Sequence, residues 1–274
     1  MTRSTLHSLL EEPEALVLPG VWDPLSALLA ERAGFSSVFL SGFALAGTHL
    51  GVPDIGILGF NEVADAAQRV CAAVPHMNVI VDADTGYGDV DAVICTVHTW
   101  EQAGAAGIFL EDQVWPKKCG HMDGKEVVDA HEWLAKLSAA VRERNNLFVT
   151  ARTDARAVLG LDEALERGRM ARDLGVDAVF VEAPQSVDEL ETIAHELTGV
   201  HLVANMVEKG KTPLLTSQEL KEMGFSIVIS PLSGLLAASR AIETAYRTLR
   251  TEGSLRDHLH TLTGFSEFTE IVAE

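Results

Sequence analysis

Asn78-Val79-Ile80-Val81-Asp82-Ala83-Asp84 is a short apolar, β-branched run that ends in two acids. Working outward from it, the same plan recurs at Leu16 to Leu18, Ser37 to Leu40, Gly107 to Leu110, Leu147 to Ala151, Ala178 to Val181, Leu202 to Ala204 and Ile227 to Ile229. Runs of this length and composition describe strands buried on both faces. Between them lie helical patterns over 24–33, 61–74, 89–104, 130–144, 161–175, 187–197, 217–223 and 235–250. Asp23 reads as an N-cap before Pro24, Asn61 and Asp89 as the start of their helices, and Gly34 and Gly175 as stops. Strand–helix alternation implies parallel pairing through right-handed crossovers. Eight such units predict a closed (β/α)8 barrel, with an open doubly wound sheet as the other topology the alternation permits.

A barrel of this kind needs about 250 residues, and the chain has 274. The expectation is one domain over 1–274, with 253–274 as a C-terminal helical extension. No run approaches the roughly 20 apolar residues of a membrane span. The opening Met1-Thr2-Arg3-Ser4-Thr5-Leu6 has no apolar secretory core, so no leader is expected. Cys71, Cys95 and Cys119 are odd in number and widely spaced. That argues against a disulfide framework or thiolate zinc site and for the reducing cytoplasm; Cys71 and Cys95 read as buried core. A net charge of −19 argues against nucleic acid and anionic membranes. If the substrate is also an anion, local positive charge must overcome that field: a metal ion, Arg152, the Lys117-Lys118 pair and backbone amides.

Polar residues close the predicted strands: Ser41-Gly42, Asp82-Ala83-Asp84, Glu111-Asp112, Arg152-Thr153-Asp154, Glu182 and Asn205. Barrel enzymes place their chemistry at that rim. Asp82 and Asp84 are two apart on a strand and share a face, and Glu111 ends the next strand. Three carboxylates without a His or thiolate suit Mg2+, and Gly86-Tyr87-Gly88 lets backbone come close. In the polar stretch 113–129, Cys119 lies among Lys117, Lys118 and His121. Neighbouring cations are expected to favour its thiolate, for use as a nucleophile or as a proton donor and acceptor, on a loop able to cover the site. Arg152 can grip a carboxylate by two parallel hydrogen bonds, oriented by Asp154. The amides of Ser41, Gly42 and Phe43 can form an anion nest. Gly210-Lys211-Thr212 is not the end of a P-loop, because position 205 is Asn where that motif needs Gly.

These segments resemble the isocitrate lyase/phosphoenolpyruvate mutase superfamily. The resemblance is carried by Trp115-Pro116-Lys117-Lys118-Cys119-Gly120-His121-Met122. It is supported by Gly51-Val52-Pro53-Asp54, Asp82-Ala83-Asp84-Thr85-Gly86, Leu110-Glu111-Asp112-Gln113, Arg152-Thr153-Asp154-Ala155, Val181-Glu182-Ala183-Pro184 and Ala204-Asn205-Met206. Within it the chain looks most like 2-alkylmalate lyases of the petal-death-protein type and carboxyphosphonoenolpyruvate phosphonomutases. The resemblance implies a homotetramer of barrels whose C-terminal helices pack on a neighbouring subunit. It implies Mg2+, with Mn2+ as a substitute, near Asp82, Asp84 and Glu111, partly through water, with Asp54 nearby. It implies a small di- or tricarboxylate held by Ser41, Gly42, Phe43, Asp82 and Arg152, with Glu182 and Asn205 lining the site and Cys119 handling a proton. Phe39 and Phe43 stand where methylisocitrate lyases carry Tyr and Gly, which argues against that substrate.

The expected reaction cleaves the C2–C3 bond of a 2-hydroxy dicarboxylate (2-alkylmalate, dimethylmalate, methylisocitrate or oxaloacetate type). Cys119 would protonate the leaving fragment while Lys118 and His121 stabilise its charge; Glu111, Asp54 or a bound water would be the base. The alternatives are a phosphonomutase acting on a P–C compound and a catalytically silent barrel serving as a binding protein. Phe39, Phe43, Trp115, Pro184 and Pro231 are expected to shape the pocket for the substrate's alkyl group.

Overall fold

Eight parallel strands close into a barrel in chain order in the computed structural model, which describes residues 3–273. The leader reading at Met1-Thr2 and the last residue of 253–274 lie outside the described residues. The strands are β1 (Leu16–Val21), β2 (Ser37–Leu40), β3 (Asn78–Asp82), β4 (Gly107–Glu111), β5 (Phe148–Thr153), β6 (Ala178–Val181), β7 (His201–Asn205) and β8 (Ile227–Ser230). The seam is β1 against β8, with Leu16 opposite Ile227 and Leu18 opposite Ile229. The open doubly wound alternative is excluded by that seam.

The helices are α1 (Leu6–Leu10), α2 (Pro24–Arg32), α3 (Gly42–Leu45), α4 (Phe60–Ala73), α5 (Val90–Ala103), α6 (Ala130–Glu143), α7 (Ala155–Val158), α8 (Leu161–Leu174), α9 (Val187–Glu196), α10 (Ser217–Met223), α11 (Ser233–Glu252) and α12 (Phe265–Ala273). A π-helical turn, Ala46–Leu50, extends α3. Capping sets several boundaries. Asp23 accepts the Ser26 N–H at 2.7 Å in a capping box, and Asp89 accepts the Ala92 N–H at 3.1 Å. Each satisfies an orphan donor of a first helical turn. Asn61 is not a cap: Gly59 holds that position and α4 begins at Phe60.

Side chains of successive strand residues point to opposite sides. One set, including Val79, Val81, Ile108 and Leu110, packs against the helices. The other, including Leu18, Phe39, Ile80, Phe109, Phe148, Phe180, Ile227 and Ile229, fills the barrel. Leu6 and Leu10 of α1 join that inner cluster and close the floor. Cys71 is buried in the outer layer, but Cys95 is exposed on α5, against expectation. None of the residues of α11 is buried. α12 returns to α2, where Arg32 pairs with Glu267 at 3.2 Å. No described helix is long and apolar enough to cross a membrane.

Candidate active site

Strand parity builds the rim. On six strands a barrel-filling residue is followed, two positions on, by a polar or ring side chain at the carboxyl end: Phe39 by Ser41, Ile80 by Asp82, Phe109 by Glu111, Phe180 by Glu182, Val203 by Asn205 and Ile229 by Pro231. Arg152 keeps the same phase on β5, four positions after Phe148. The period that packs the core also aims the polar groups inward. Asp84 lies two residues beyond its strand at φ 45°, a left-handed conformation that Asp tolerates better than most residues.

The acids outnumber their partners. Asp54, Asp82, Asp84, Glu111, Asp154 and Glu182 are buried here, against the buried cations Lys117, Lys125 and Arg152. Lys117 Nζ sits 2.8 Å from Asp54 Oδ1 and 2.7 Å from Asp84 Oδ1. Burial still pushes Asp84 up to about 7 against the pull of Lys117, and Asp82 and Asp54 add to the rise. Burial raises Glu111 well above the usual range although Arg152 Nη1 lies 3.0 Å from its Oε2. Glu111 Oε1 is buried with neither a hydrogen bond nor an ion-pair partner.

Among the described residues, no three His, Cys, Asp or Glu groups are set to hold one ion directly. Asp82, Asp84 and Glu111 are therefore not a preformed inner sphere, because the Lys117 ammonium stands between Asp54 and Asp84. The surplus of buried negative charge and the unpartnered Glu111 Oε1 do fit a divalent ion bound mainly through water, the habit of Mg2+.

Arg152 is held on several sides. Its Nε and Nη2 donate to Asp154 at 3.0 and 3.3 Å, and Nη2 lies 3.5 Å from Glu182 Oε2. Its guanidinium sits over the Phe180 ring at 5.5 Å. Burial pushes Glu182 up, but Arg152 and His121 outweigh it and hold the carboxyl at about 2. Asn205 Nδ2 donates to both Glu182 oxygens at 3.3 Å, while its Oδ1 is buried without a partner.

The 113–129 loop folds over the rim. The Cys119 N–H donates to the Asp54 carbonyl at 3.0 Å, and a Cβ on Gly120 would stand 2.4 Å from Glu182 Cδ. His121 Nδ1 accepts the Lys211 N–H at 2.9 Å, which leaves the ring proton on Nε2, 3.3 Å from Glu182 Oε1. Burial pushes the Cys119 thiol up to about 11, and Asp54 and Glu182 add to the rise. The expected thiolate is corrected: burial, with Asp54 and Glu182, outweighs the His121 amide and Arg152 and favours the thiol form.

Ser41, Phe43, Asp54, Asp82, Cys119, His121, Arg152, Glu182 and Asn205 share one cleft of about 430 Å³, counting the part open to solvent. Phe39, Phe180, Val207, Ile229, Pro231 and Leu232 form its apolar side. Asp84 and Glu111 do not line the cleft, and Gly42 lies beside Asp82, where a Cβ would come 3.2 Å from Oδ2.

Several expectations are corrected. Lys118 does not face the cleft: its ammonium donates to the Gly124 carbonyl at 2.5 Å. Ser41 cannot offer its amide to an anion, because that N–H is spent on the Val21 carbonyl at 3.0 Å. Gly86 serves packing rather than ligand approach, since a Cβ there would meet Val93 at 2.4 Å. Trp115 is partly exposed against Tyr87 in a separate cleft, and Pro184 is also off the cleft wall.

Lys117 and Lys125 are the groups sequence reasoning undervalued. Parity was the available signal for the first, since Lys117 and Cys119 are two apart and Lys118 between them falls on the other side, ahead of the turn at Gly120-His121.

Known proteins match this chain along its length. The phosphoenolpyruvate phosphomutase family pattern matches residues 6–250. The petal death protein of Dianthus caryophyllus is 45% identical over 274 residues, which covers 99% of this chain and 86% of that protein. An oxaloacetate acetylhydrolase in complex with 3,3-difluorooxalacetate superposes with a TM-score of 0.93 at 37% identity, covering 98% of this chain and 92% of that one. A phosphonopyruvate hydrolase in complex with oxalate and Mg2+ gives a TM-score of 0.87 at 30% identity, covering 98% and 93%.

Proposed function

This chain belongs to the phosphoenolpyruvate phosphomutase family, in the isocitrate lyase/phosphoenolpyruvate mutase superfamily of lyases and mutases, and we propose that it is a magnesium-dependent carbon–carbon lyase. Its substrate is a 2-hydroxy dicarboxylate of the 2-alkylmalate class, cleaved to a 2-keto acid and a carboxylate. The observation that carries this reading is that Cys119, Asp54, Asp82 and Arg152 line one cleft.

Mg2+, held near Asp82, Asp84, Glu111 and Asp54 largely through water, would supply Lewis-acid polarisation of the substrate's oxygens. Arg152 and the Gly42 and Phe43 amides bind substrate carboxylate. The C2 hydroxyl proton passes to a wall carboxylate. Of the candidate bases, Asp54 lines the cleft and Glu111 does not. The C2–C3 electron pair leaves with the second fragment as an aci-carboxylate, whose carbon takes the Cys119 proton. A neutral thiol suits that donation. His121 Nε2–H faces the same cleft and stabilises the developing charge, a role in which fixed donors count most. Lys118 is too committed to Gly124 to share it. Phe39, Phe43, Phe180 and Leu232 receive the apolar substituent.

The same reading takes 1–274 as one domain with 253–274 as an extension, in the cytoplasm. It takes the exposed Leu236, Ile242 and Tyr246 of α11 as the face a neighbouring subunit covers in a homotetramer with exchanged helices. Light scattering tests the assembly; a monomer would end that part.

The deciding assay follows keto-acid release from oxaloacetate and a series of 2-alkylmalates, with and without Mg2+. Turnover of none of them would overturn the lyase reading. A phosphonomutase is the second reading, favoured by the likeness to a phosphonopyruvate hydrolase. A 31P spectrum of products from a P–C substrate distinguishes the two.

A further inference from the structure

Lys125 is a buried cation that the cleft does not use. Its side chain is 2% exposed, and its ammonium donates to the Gly120 carbonyl and to Asp154 Oδ1, the latter at 2.8 Å. It does not line the cleft. Its two partners belong to different parts of the site. Gly120 lies between Cys119 and His121 on the loop. Asp154 follows β5 and holds Arg152 through Nε at 3.0 Å and Nη2 at 3.3 Å. Asp154 is fixed from behind: its N–H donates to Asp112 Oδ1 at 2.7 Å. Asp112 Oδ2 in turn accepts the Thr153 hydroxyl at 2.6 Å and Arg167 Nη1 at 3.0 Å. Asp154 therefore stays with the barrel, so any lifting of the loop must break the contact to Lys125.

Of the other lysine ties of this region, Lys117 joins the loop to Asp54 and Asp84 and not to Asp154. Lys118 holds only a carbonyl of its own loop. Lys211 meets Asp123, which is 94% exposed, and an ion pair with so exposed a partner contributes little.

We propose that Lys125 is a positioning residue, a latch that ties closure of the 113–129 loop to the orientation of Arg152. One ammonium brings the thiol-bearing turn and the carboxylate-binding guanidinium into place together. This rests on the reading of Cys119 and Arg152 given above.

The test measures alkylation of Cys119 by iodoacetamide, followed by peptide mass mapping in a Cys95→Ser background, together with keto-acid release. Losing a charge-assisted hydrogen bond shifts the closed-to-open ratio by about tenfold or more. Lys125→Met is expected to speed Cys119 alkylation and lower kcat by about that factor. Asp154→Asn should speed alkylation too, and adding it to Lys125→Met should bring little further change, because the two act as one unit. Asp123→Asn should leave both readouts within about twofold. If Lys125→Met fails to fold, Lys125→Gln keeps a donor for Gly120 and removes only the charge that faces Asp154.

Alkylation within about twofold of the parent in the folded Lys125 variants would overturn the latch, even with a lowered melting temperature. An equal rise in Asp123→Asn would overturn it as well, since any loop tie would then suffice. The lyase reading fails separately, by absent keto-acid release in the parent protein, and the alkylation arm still decides the latch.

Discussion

Replacing Lys117 with Met isolates the electrostatics of the rim. Lys117 Nζ lies 2.8 and 2.7 Å from Asp54 and Asp84, and the three side chains are 3%, 6% and 2% exposed. Met matches the length of the apolar stem, so the packing change is small. What is lost is one partner of a buried ion pair, a loss that costs about 3–5 kcal/mol. At roughly 2–4 °C per kcal/mol for a chain of this size, the melting temperature should fall by about 10 °C.

The pH dependence separates charge from packing. Asp84 has its folded pKa raised to about 7 from 3.8, so between those values the native state binds more protons than the unfolded chain. Stability in this window falls as pH rises. Removing Lys117 pushes Asp84 up further, and its protonation at lower pH relieves the loss. Urea unfolding in EDTA should therefore show the full deficit at pH 8 and a much smaller one at pH 5. An equal deficit at both values, or one below about 1 kcal/mol at pH 8, would refute the reasoning.

Three more outcomes follow from the same site. Cys119→Ser should lower kcat for keto-acid release by about a hundredfold, within the range of general acid catalysis, with KM little changed; unchanged turnover would remove the thiol from the chemistry. In the native protein, Mg2+ should raise the melting temperature more at pH 8, above the Asp84 value of about 7, than at pH 5; a shift independent of pH would contradict the carboxylate cluster as the cation's seat. Glu182, held at about 2 against 4.5, contributes stability that is complete above pH 4.5 and lost as pH falls toward 2. Acid denaturation should accordingly separate Glu182→Gln from the native protein less at pH 2 than at pH 6.

Strand order and rim residues were legible because one period governs both. An apolar residue that fills the barrel fixes the phase, and the polar residue two steps later must then face the mouth. The short elements were not legible. α1 has five residues and α3 four, too few for a helical period to show. Charge balance was the larger blind spot. Sequence placed Lys118 beside Cys119 in number, but alternation turns Lys118 away and brings Lys117 in. The cations around Cys119 suggested a thiolate, yet burial, with Asp54 and Glu182 from distant parts of the chain, reverses that sign. Lys125 gave no local signal at all, since its partner Asp154 is 29 positions away.

The seam between β1 and β8 carries a consequence for biosynthesis. Leu16 and Ile227 are neighbours across it although more than 200 positions separate them. A chain emerging from the ribosome presents β1 with an unpaired edge until almost the last strand has been made. Contacts that distant form slowly, and open strand edges invite association with other chains. Chaperone dependence during translation should therefore be concentrated in the interval before residue 230 clears the exit tunnel, and a chain truncated before β8 should aggregate rather than accumulate as a smaller folded unit.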